Sequence, residues 1–277
     1  MATSSTSVIA AEKVACGFQF LEGPAWDPTR NELLFSDIPA SRIYCYSPST
    51  NSFRVFREPS GQANGNALDP QGRLVTCEHE NRRVSRTESD GMVTALATHY
   101  ESKRLNSPND VVCKSDSSVY FSDPPYGVKP ELCELDFQGV FRVSPNGKTL
   151  MLLARDFLKP NGLAFSPDEK ILYIADTELG HIRAFDVNAD GTIANSRVLC
   201  QVERPDGFRV DVEGNLYIAA IKSVEIFDLT GKKRGEITLP ERPANVAFGD
   251  PDRQTLYICA RTSLYRARVN IPGAQHP

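Results

Sequence analysis

The 277-residue chain lacks several features that would identify common classes of protein. No apolar run approaches the ~18 residues of a membrane-spanning helix, so we expect no membrane partner. With 31 Lys and Arg against 35 Asp and Glu, the formal charge is −4, which argues against a nucleic-acid partner. The N-terminal stretch Met1-Ala2-Thr3-Ser4-Ser5-Thr6-Ser7 also lacks the basic and then apolar pattern of a secretory signal.

The cysteines show no ligand or redox pattern. There are seven, an odd number, with no Cys-x-x-Cys, and several lie inside apolar strand patterns such as Tyr257-Ile258-Cys259. We therefore interpret them as buried, reduced thiols. Together with the missing secretory signal, this predicts a cytoplasmic protein.

Standard catalytic motifs are absent too. The chain has no Gly-x-Ser-x-Gly, no Gly-x-x-x-x-Gly-Lys and no Gly-x-Gly-x-x-Gly. Its four histidines are scattered, and Glu78-His79-Glu80 has no second histidine at the spacing of a zinc-binding helix. Any chemistry must therefore be sought in a different pattern.

One pattern does recur along the chain. A polar acceptor is usually followed by Gly or Asp, and then come an apolar strand, a turn and a second apolar strand. Its acceptors are Glu22, Asn64, Asn109, Asn161, Asp206 and Asn245. Subtraction gives intervals of 42, 45, 52, 45 and 39 residues. A period of about 40–45 residues made of short strands is typical of a β-propeller with four strands per blade. The sequence therefore predicts an all-β fold, a six-bladed β-propeller over residues 15–269.

The ends and one insertion fall outside this repeat. We interpret residues 1–14 as an N-terminal tail. An apolar triplet near it, Val8-Ile9-Ala10 or Phe18-Gln19-Phe20, could supply the strand that closes the ring, since closure removes free edges. Residues 270–277 read as a C-terminal tail that frays. Residues 128–137 make the third repeat the longest, and such an insertion could act as a lid.

The repeat also predicts a site. Equivalent positions in a propeller surround one axis, so the six acceptors should meet at one mouth of the central channel. Two are carboxylates, which repel each other and lose solvation there, and a bound cation would relieve both effects. A ring of hard oxygens suits Ca²⁺ or Mg²⁺. For Asn64 and Asn245, satisfying backbone groups at a strand start is the alternative interpretation.

Several separated motifs resemble the SMP-30/gluconolactonase/luciferin-regenerating enzyme family. They are Glu22-Gly23-Pro24, Ser107-Pro108-Asn109-Asp110, Pro160-Asn161-Gly162-Leu163 and Pro205-Asp206-Gly207. The segments 77–84, 104–110 and 123–127 resemble its microbial gluconolactonase branch in particular. The resemblance covers about residues 15–268. It implies a six-bladed propeller with one catalytic divalent metal in the channel that hydrolyses sugar lactones.

The resemblance also implies roles for individual residues. The implied metal ligands are Glu22, Asn161, Asp206 and Asn109, of which Asn109 could instead hold substrate. The implied substrate contacts are Arg104, Asn106, Asn109, His79 and Tyr126. The catalytic base would be Asp206 or Glu22, and we favour Asp206. A neighbouring carboxylate such as Asp110 is the remaining alternative. Ca²⁺ suits this set best, although Mg²⁺, Mn²⁺ and Zn²⁺ also accept it. One departure is Glu80, which stands where the family would have a small residue.

These observations lead to one functional hypothesis and two alternatives. The first is a lactonase that uses a divalent cation to hydrolyse a glucono-1,5-lactone-like aldonolactone to the aldonic acid. The second is a related hydrolase of a non-sugar lactone or an organophosphate triester. The third is a non-catalytic binding module with a structural ion. The sequence leaves open the lactone's ring size, the role of residues 128–137 and the oligomeric state.

Overall fold

The innermost strands of six sheets contact one another in a closed cycle, so the chain is a six-bladed β-propeller. This is a computed structural model that describes residues 7–274. The prediction of an all-β, six-bladed arrangement is confirmed. Within the described residues, no helix is long and apolar enough to cross a membrane.

In each of the first three blades the strands follow one another from the channel outward. Blade 1 consists of Leu21–Asp27, Glu32–Asp37, Arg42–Ser47 and Ser52–Arg57. Blade 2 consists of Ala63–Leu68, Leu74–Glu78, Arg83–Thr87 and Val93–Ala97. Blade 3 consists of Val111–Cys113, Val119–Asp123, Gln138–Val143 and Leu150–Phe157. Outside these sheets lie the hairpin of His99–Tyr100 with Lys103–Arg104 and the 3₁₀ helix Pro130–Leu132.

The other three blades follow the same order. Blade 4 consists of Pro160–Phe165, Ile171–Asp176, His181–Val187 and Ile193–Gln201. Blade 5 consists of Phe208–Val210, Leu216–Ala219, Ser223–Phe227 and Lys233–Thr238, with Ser7–Ala10 added in parallel to the last strand. Blade 6 consists of Asn245–Gly249, Thr255–Ala260, Ser263–Arg268 and Glu12–Cys16.

The ring closes inside blade 6. Its outer strand, Glu12–Cys16, comes from the beginning of the chain and pairs antiparallel with Ser263–Arg268. The two apolar triplets have other places: Val8-Ile9-Ala10 pairs with blade 5, and Phe18 packs its ring against Phe35 of blade 1. The closing strand is therefore the more polar segment between them.

The C-terminal segment is held in place as far as the structure describes it. The N–H of Val212 donates to the carbonyl of Pro272, and the N–H of Ala274 donates to the carbonyl of Val210, both at 2.9 Å. Residues 270–274 thus attach to blade 5, where the sequence suggested fraying. The remaining parts of the predicted tails, residues 1–6 and 275–277, lie outside the described residues.

The hydrophobic core is divided among the contacts between blades. Among residues 7–274, six buried apolar clusters are present, one at each junction of neighbouring blades. Tyr120 and Phe165 join blades 3 and 4 edge to face, with ring centroids 5.0 Å apart. Trp26 and Tyr257 stack between blades 1 and 6 at 5.8 Å. Because packing occurs between blades, the axis is left for polar groups.

The cysteines agree with our interpretation except in one respect. All seven are free, and five of them are buried. Cys133 is only half-buried and Cys16 is exposed, so burial was wrongly expected for these two.

Glycines that follow the acceptors let neighbouring inner strands approach closely. A Cβ on Gly162 would lie 2.5 Å from the carbonyl oxygen of Asp206 in the next blade. A Cβ on Gly65 would lie 2.6 Å from the carbonyl oxygen of Asn109. In both cases the obstacle is main chain, which cannot rotate away as a side chain can.

We predict that Gly162→Ala separates blades 4 and 5. The free energy of unfolding should fall by about 3 kcal/mol, the upper part of the usual range for overpacking. Gly147→Ala is the control, because its φ is +70° but nothing lies within 4 Å of the added Cβ. That change should cost only about 1 kcal/mol of backbone strain. Urea unfolding of both variants measures the difference, and equal losses would contradict the packing argument.

Candidate active site at one mouth of the channel

The six predicted acceptors all lie at or just before the start of an inner strand. Five are buried, and Asp206 is partly exposed. The inner strands run in the same sense around the axis, so these side chains face one end of the channel. Hydrogen bonds join several of these acceptors from one blade to the next.

A chain of amide hydrogen bonds links three of the blades. Asn64 Nδ2 donates to Asn109 Oδ1 at 2.7 Å, and Asn109 Nδ2 donates to Asn161 Oδ1 at 2.8 Å. Asn161 Nδ2 then donates to Thr177 Oγ1 at 3.0 Å and approaches the hydroxyl of Tyr126 at 3.3 Å. Each amide is therefore held in one orientation by the next.

The carboxylates occupy the other side of the ring. Asn245 Nδ2 donates to Glu22 Oε2 at 2.9 Å and approaches Asp110 Oδ2 at 3.3 Å. Burial raises the pKa of Glu22 well above its usual range, and the charges of Asp206 and Asp110 raise this pKa further. Burial also raises the pKa of Asp206, an effect opposed by Arg242 at 3.7 Å. Three carboxyl groups thus converge where water cannot solvate them fully.

This donor set fits a hard divalent cation. Glu22, Asp206 and the asparagines supply carboxylate and amide oxygens, the ligands that Ca²⁺ and Mg²⁺ prefer. Oδ1 of Asn64 is buried and has no hydrogen-bond partner among the described residues. No three His, Cys, Asp or Glu side chains in residues 7–274 are arranged to hold a metal by themselves. A cation here would therefore depend on the amide oxygens as well as the carboxylates.

The chain segments that carry three of the acceptors are fixed by buried aspartates. Asp37 accepts the N–H groups of Gln19 and Phe20, which precede Glu22 by three and two residues. The corresponding pairs are residues 106 and 107 on Asp123, and residues 158 and 159 on Asp176. In each blade the aspartate ends the second strand. The same device therefore positions Glu22, Asn109 and Asn161.

The predicted substrate contacts have different surroundings. Tyr126 is 41% exposed and its hydroxyl faces Asn161. His79 is buried and its Nε2 lies 3.0 Å from Asn64 Nδ2, while burial lowers its pKa to about 4. The side chain of Asn106 donates to the carbonyls of Asp123 and Phe137. The side chain of Arg104 donates to the carbonyl of Asn81. The structure thus brings Tyr126 and Asn109 to the acceptor ring, whereas His79 reaches it through Asn64.

The insertion at 128–137 is tied to the blades. Arg82 NH1 donates to the carbonyl of Leu132 at 3.1 Å, and the N–H of Arg104 donates to Glu134 Oε2 at 2.8 Å. Asn106 Nδ2 also holds the carbonyl of Phe137. These contacts fix the insertion beside blades 2 and 3.

Sequence reasoning missed two residues of the site. Thr177 accepts from Asn161 and donates to the carbonyl of Pro205, which connects blade 4 to the segment before Asp206. Arg242 faces Asp206, although nothing in its local sequence marks it. The positioning aspartates did leave a signal: Asp37, Asp123 and Asp176 follow their acceptors by 15, 14 and 15 residues.

Fold and site together define a six-bladed propeller with an anionic, amide-lined centre at one mouth of its channel. The family model described as SMP-30/Gluconolactonase/LRE-like region matches residues 20–262, and the chain belongs to this family. That membership confirms the resemblance seen in the motifs.

Three relatives illustrate the similarity. The gluconolactonase of Zymomonas mobilis is 32% identical, over 95% of this chain and 82% of that protein. The pentonolactonase XacC of Haloferax volcanii is 28% identical, over 86% of this chain and 80% of that protein. The structure of a Xanthomonas campestris gluconolactonase superposes with a TM-score of 0.87 at 36% identity, covering 95% of this chain and 90% of that one.

We predict that Asp176→Asn disturbs the site through the segment that carries Asn161. Asp176 accepts four backbone N–H groups, from residues 158, 159, 178 and 179. An amide would turn an NH₂ toward some of these donors, so the free energy of unfolding should fall by roughly 2–3 kcal/mol. Calorimetric titration with Ca²⁺ should also show weaker binding. Asp168→Asn, on an exposed turn of the same blade, should change the free energy of unfolding by less than about 1 kcal/mol and leave the calcium affinity unchanged. A normal calcium affinity in Asp176→Asn would contradict the positioning role.

Proposed function

We propose that this protein is a lactonase that hydrolyses a sugar lactone to the corresponding aldonic acid. The observation that carries the proposal is the convergence of Glu22, Asp206 and Asp110 with oriented amides at one channel mouth. The relatives named gluconolactonase and pentonolactonase support it, and they favour an aldonolactone over the organophosphate and binding-module alternatives.

We further propose that the site holds one divalent cation. Glu22, Asn161 and Asp206 would be its ligands, and Asn109 would be a fourth ligand or a substrate contact. Ca²⁺ is our first choice because every donor is a hard oxygen. When bound, such a cation polarises a carbonyl group as a Lewis acid, an effect worth several kcal/mol.

Asp206 is the proposed general base. Glu22 is buried and its Oε2 accepts from the N–H of Gly23 and from Asn245 Nδ2, whereas Asp206 keeps 16% of its side chain exposed. Asp206 is therefore better placed to take a proton from an entering water. That water's oxygen bonds to the lactone carbonyl carbon, the bond from this carbon to the ring oxygen breaks, and the ring oxygen gains a proton. General base catalysis typically contributes ~10²–10⁴-fold in rate.

Substrate orientation follows from the groups beside Asn161 at the mouth. We propose that the Tyr126 hydroxyl and the amide of Asn109 contact lactone hydroxyls, because both lie beside Asn161. Lys159 sits 5.0 Å above the Tyr126 ring and restrains it. Direct contact of Arg104, Asn106 and His79 with the substrate stays a prediction. In the described chain their hydrogen bonds go to residues other than Asn161, so we propose that they hold the surrounding segments in place.

The first test is acid release from glucono-1,5-lactone, with spontaneous hydrolysis subtracted. Chelator-treated protein should be inactive and should recover when Ca²⁺, Mg²⁺, Mn²⁺ or Zn²⁺ is restored. Asp206→Ala should lose at least about 10²-fold in kcat, since it removes both the base and a ligand. Asp190→Ala, on an exposed turn of blade 4, is the matched control and should stay active. Full activity with full metal content in Asp206→Ala would contradict the assignment of Asp206 as base and metal ligand.

A substrate panel separates the lactonase from its alternatives. Glucono-1,5-lactone, a five-membered pentonolactone, an alkyl lactone and a phosphotriester would be compared on the same metal-loaded protein. We expect the highest kcat/KM with one of the two sugar lactones. Turnover of the phosphotriester alone, or metal binding without turnover of any substrate, would favour an alternative.

A cation should also stabilise the fold, because it offsets the repulsion between buried carboxylates. At a concentration of 100 times Kd, the linkage is about 2.7 kcal/mol, so Tm should rise by roughly 5–10 °C. Glu22→Gln should abolish this rise while keeping the melting temperature of the chelated protein at or above the wild-type value. Scanning calorimetry with and without Ca²⁺ measures both. An unchanged calcium-dependent rise in Glu22→Gln would exclude this residue as a ligand.

A further inference from the structure

A cavity of about 560 Å³ lies at the opposite end of the channel from the acceptor ring. Every blade contributes a residue from the far part of its inner strand: Trp26, Leu68, Cys113, Phe165, Val210 and Phe248. The lining begins at Pro24, two residues after Glu22, and none of the six acceptors is part of it. The cavity is therefore separate from the site proposed for the lactone.

The wall of this cavity combines apolar side chains with two arginines, Arg253 on the turn after the inner strand of blade 6 and Arg209 on the inner strand of blade 5. Arg209 lines the cavity and is half-buried, and its NH1 donates to the carbonyl of Phe208 at 2.8 Å. Within residues 7–274, Arg209 forms no ion pair with a carboxylate. Its charge does act at a distance on Asp110, where it opposes the rise in pKa that burial causes. A guanidinium in such surroundings retains unused donors in a fixed, planar fork.

The acidic residues at the rim do not supply the missing partner. Asp27 pairs with Arg30, and Asp69 pairs with Arg73. Asp250 accepts from the hydroxyls of Tyr257 and Thr255. These three side chains are engaged in their own turns, and their charges disfavour a multiply charged anion entering the mouth.

We propose that the cavity is a second binding site, for a small organic monocarboxylate with an apolar body. The carboxylate would pair with the Arg209 guanidinium, and the body would pack on Trp26, Phe165 and Phe248. Arginine and carboxylate match each other in geometry and form strong paired hydrogen bonds. The volume is within the usual range for small-molecule sites. The proposal does not depend on the function assigned to the other mouth.

Trp26 makes the proposal directly testable, because it is the only tryptophan in the chain. Its fluorescence would be followed while cyclohexanecarboxylate, which does not absorb with tryptophan, is added. A saturable change is expected. The neutral cyclohexanecarboxamide has the same body without the charge and should bind ~10–100-fold more weakly, the usual effect of losing a charged hydrogen bond. No saturable change in folded wild-type protein, or equal binding of the two probes, would overturn the proposal.

Four variants locate the binding. Arg209→Met should weaken cyclohexanecarboxylate binding ~10–100-fold, whereas Arg253→Met, at the rim of the same cavity, should retain it. Ala67→Leu keeps the guanidinium but fills part of the cavity, so it should also weaken binding even if Arg209→Met fails to fold. Asp190→Ala, on an exposed turn of blade 4, changes neither mouth and should bind the probe normally. Normal binding in both Arg209→Met and Ala67→Leu would place the carboxylate elsewhere and refute the assignment.

Discussion

The contact between neighbouring inner strands is the constraint on which the rest of this structure depends. At Gly65 and Gly162 the next blade's main chain comes within 2.5–2.6 Å of the place where a Cβ would be. Only this close approach lets an amide in one blade reach the acceptor of the next, as Asn109 reaches Asn161. The same narrowness removes water from the carboxylates. Channel width therefore determines the electrostatics of the site as well as its geometry.

Stability and function are located in different parts of the propeller. The six apolar clusters lie between blades, and each fully buried large side chain there contributes about 1.5–3 kcal/mol. At the axis, the charges of Glu22, Asp110 and Asp206 oppose one another, and this repulsion is offset in part by Arg209, Arg242 and the amides. The packing between blades can hold these charges together because it does not involve them. A bound cation would therefore stabilise the protein at the place where repulsion between carboxylates is strongest.

The repeat made much of this predictable, and its symmetry explains why. One period near 45 residues is enough to predict six blades and to bring Glu22 and Asp206 to one mouth, since equivalent positions share an axis. Hydrogen-bond partners do not follow from the repeat. That His79 would bond Asn64, and that Arg242 would face Asp206, depends on loops whose course no period encodes. The positioning aspartates could have been predicted from the sequence, because they recur with the period. Finding them requires a comparison of the second strands of the repeats as well as the first ones.

The same period also explains why the channel has two unlike ends. In every blade the polar acceptor precedes apolar residues of the same inner strand, as Glu22 precedes Trp26 and Asn161 precedes Phe165. Repeating this one strand pattern six times around the axis is therefore enough to produce a polar mouth and an apolar mouth. Arg209 is the exception, a single cation on an inner strand between the two. Because its charge acts on Asp110 from the apolar side, a carboxylate bound there would partly neutralise it and alter the field at the opposite mouth. The two ends are thus chemically distinct but electrostatically connected through one side chain.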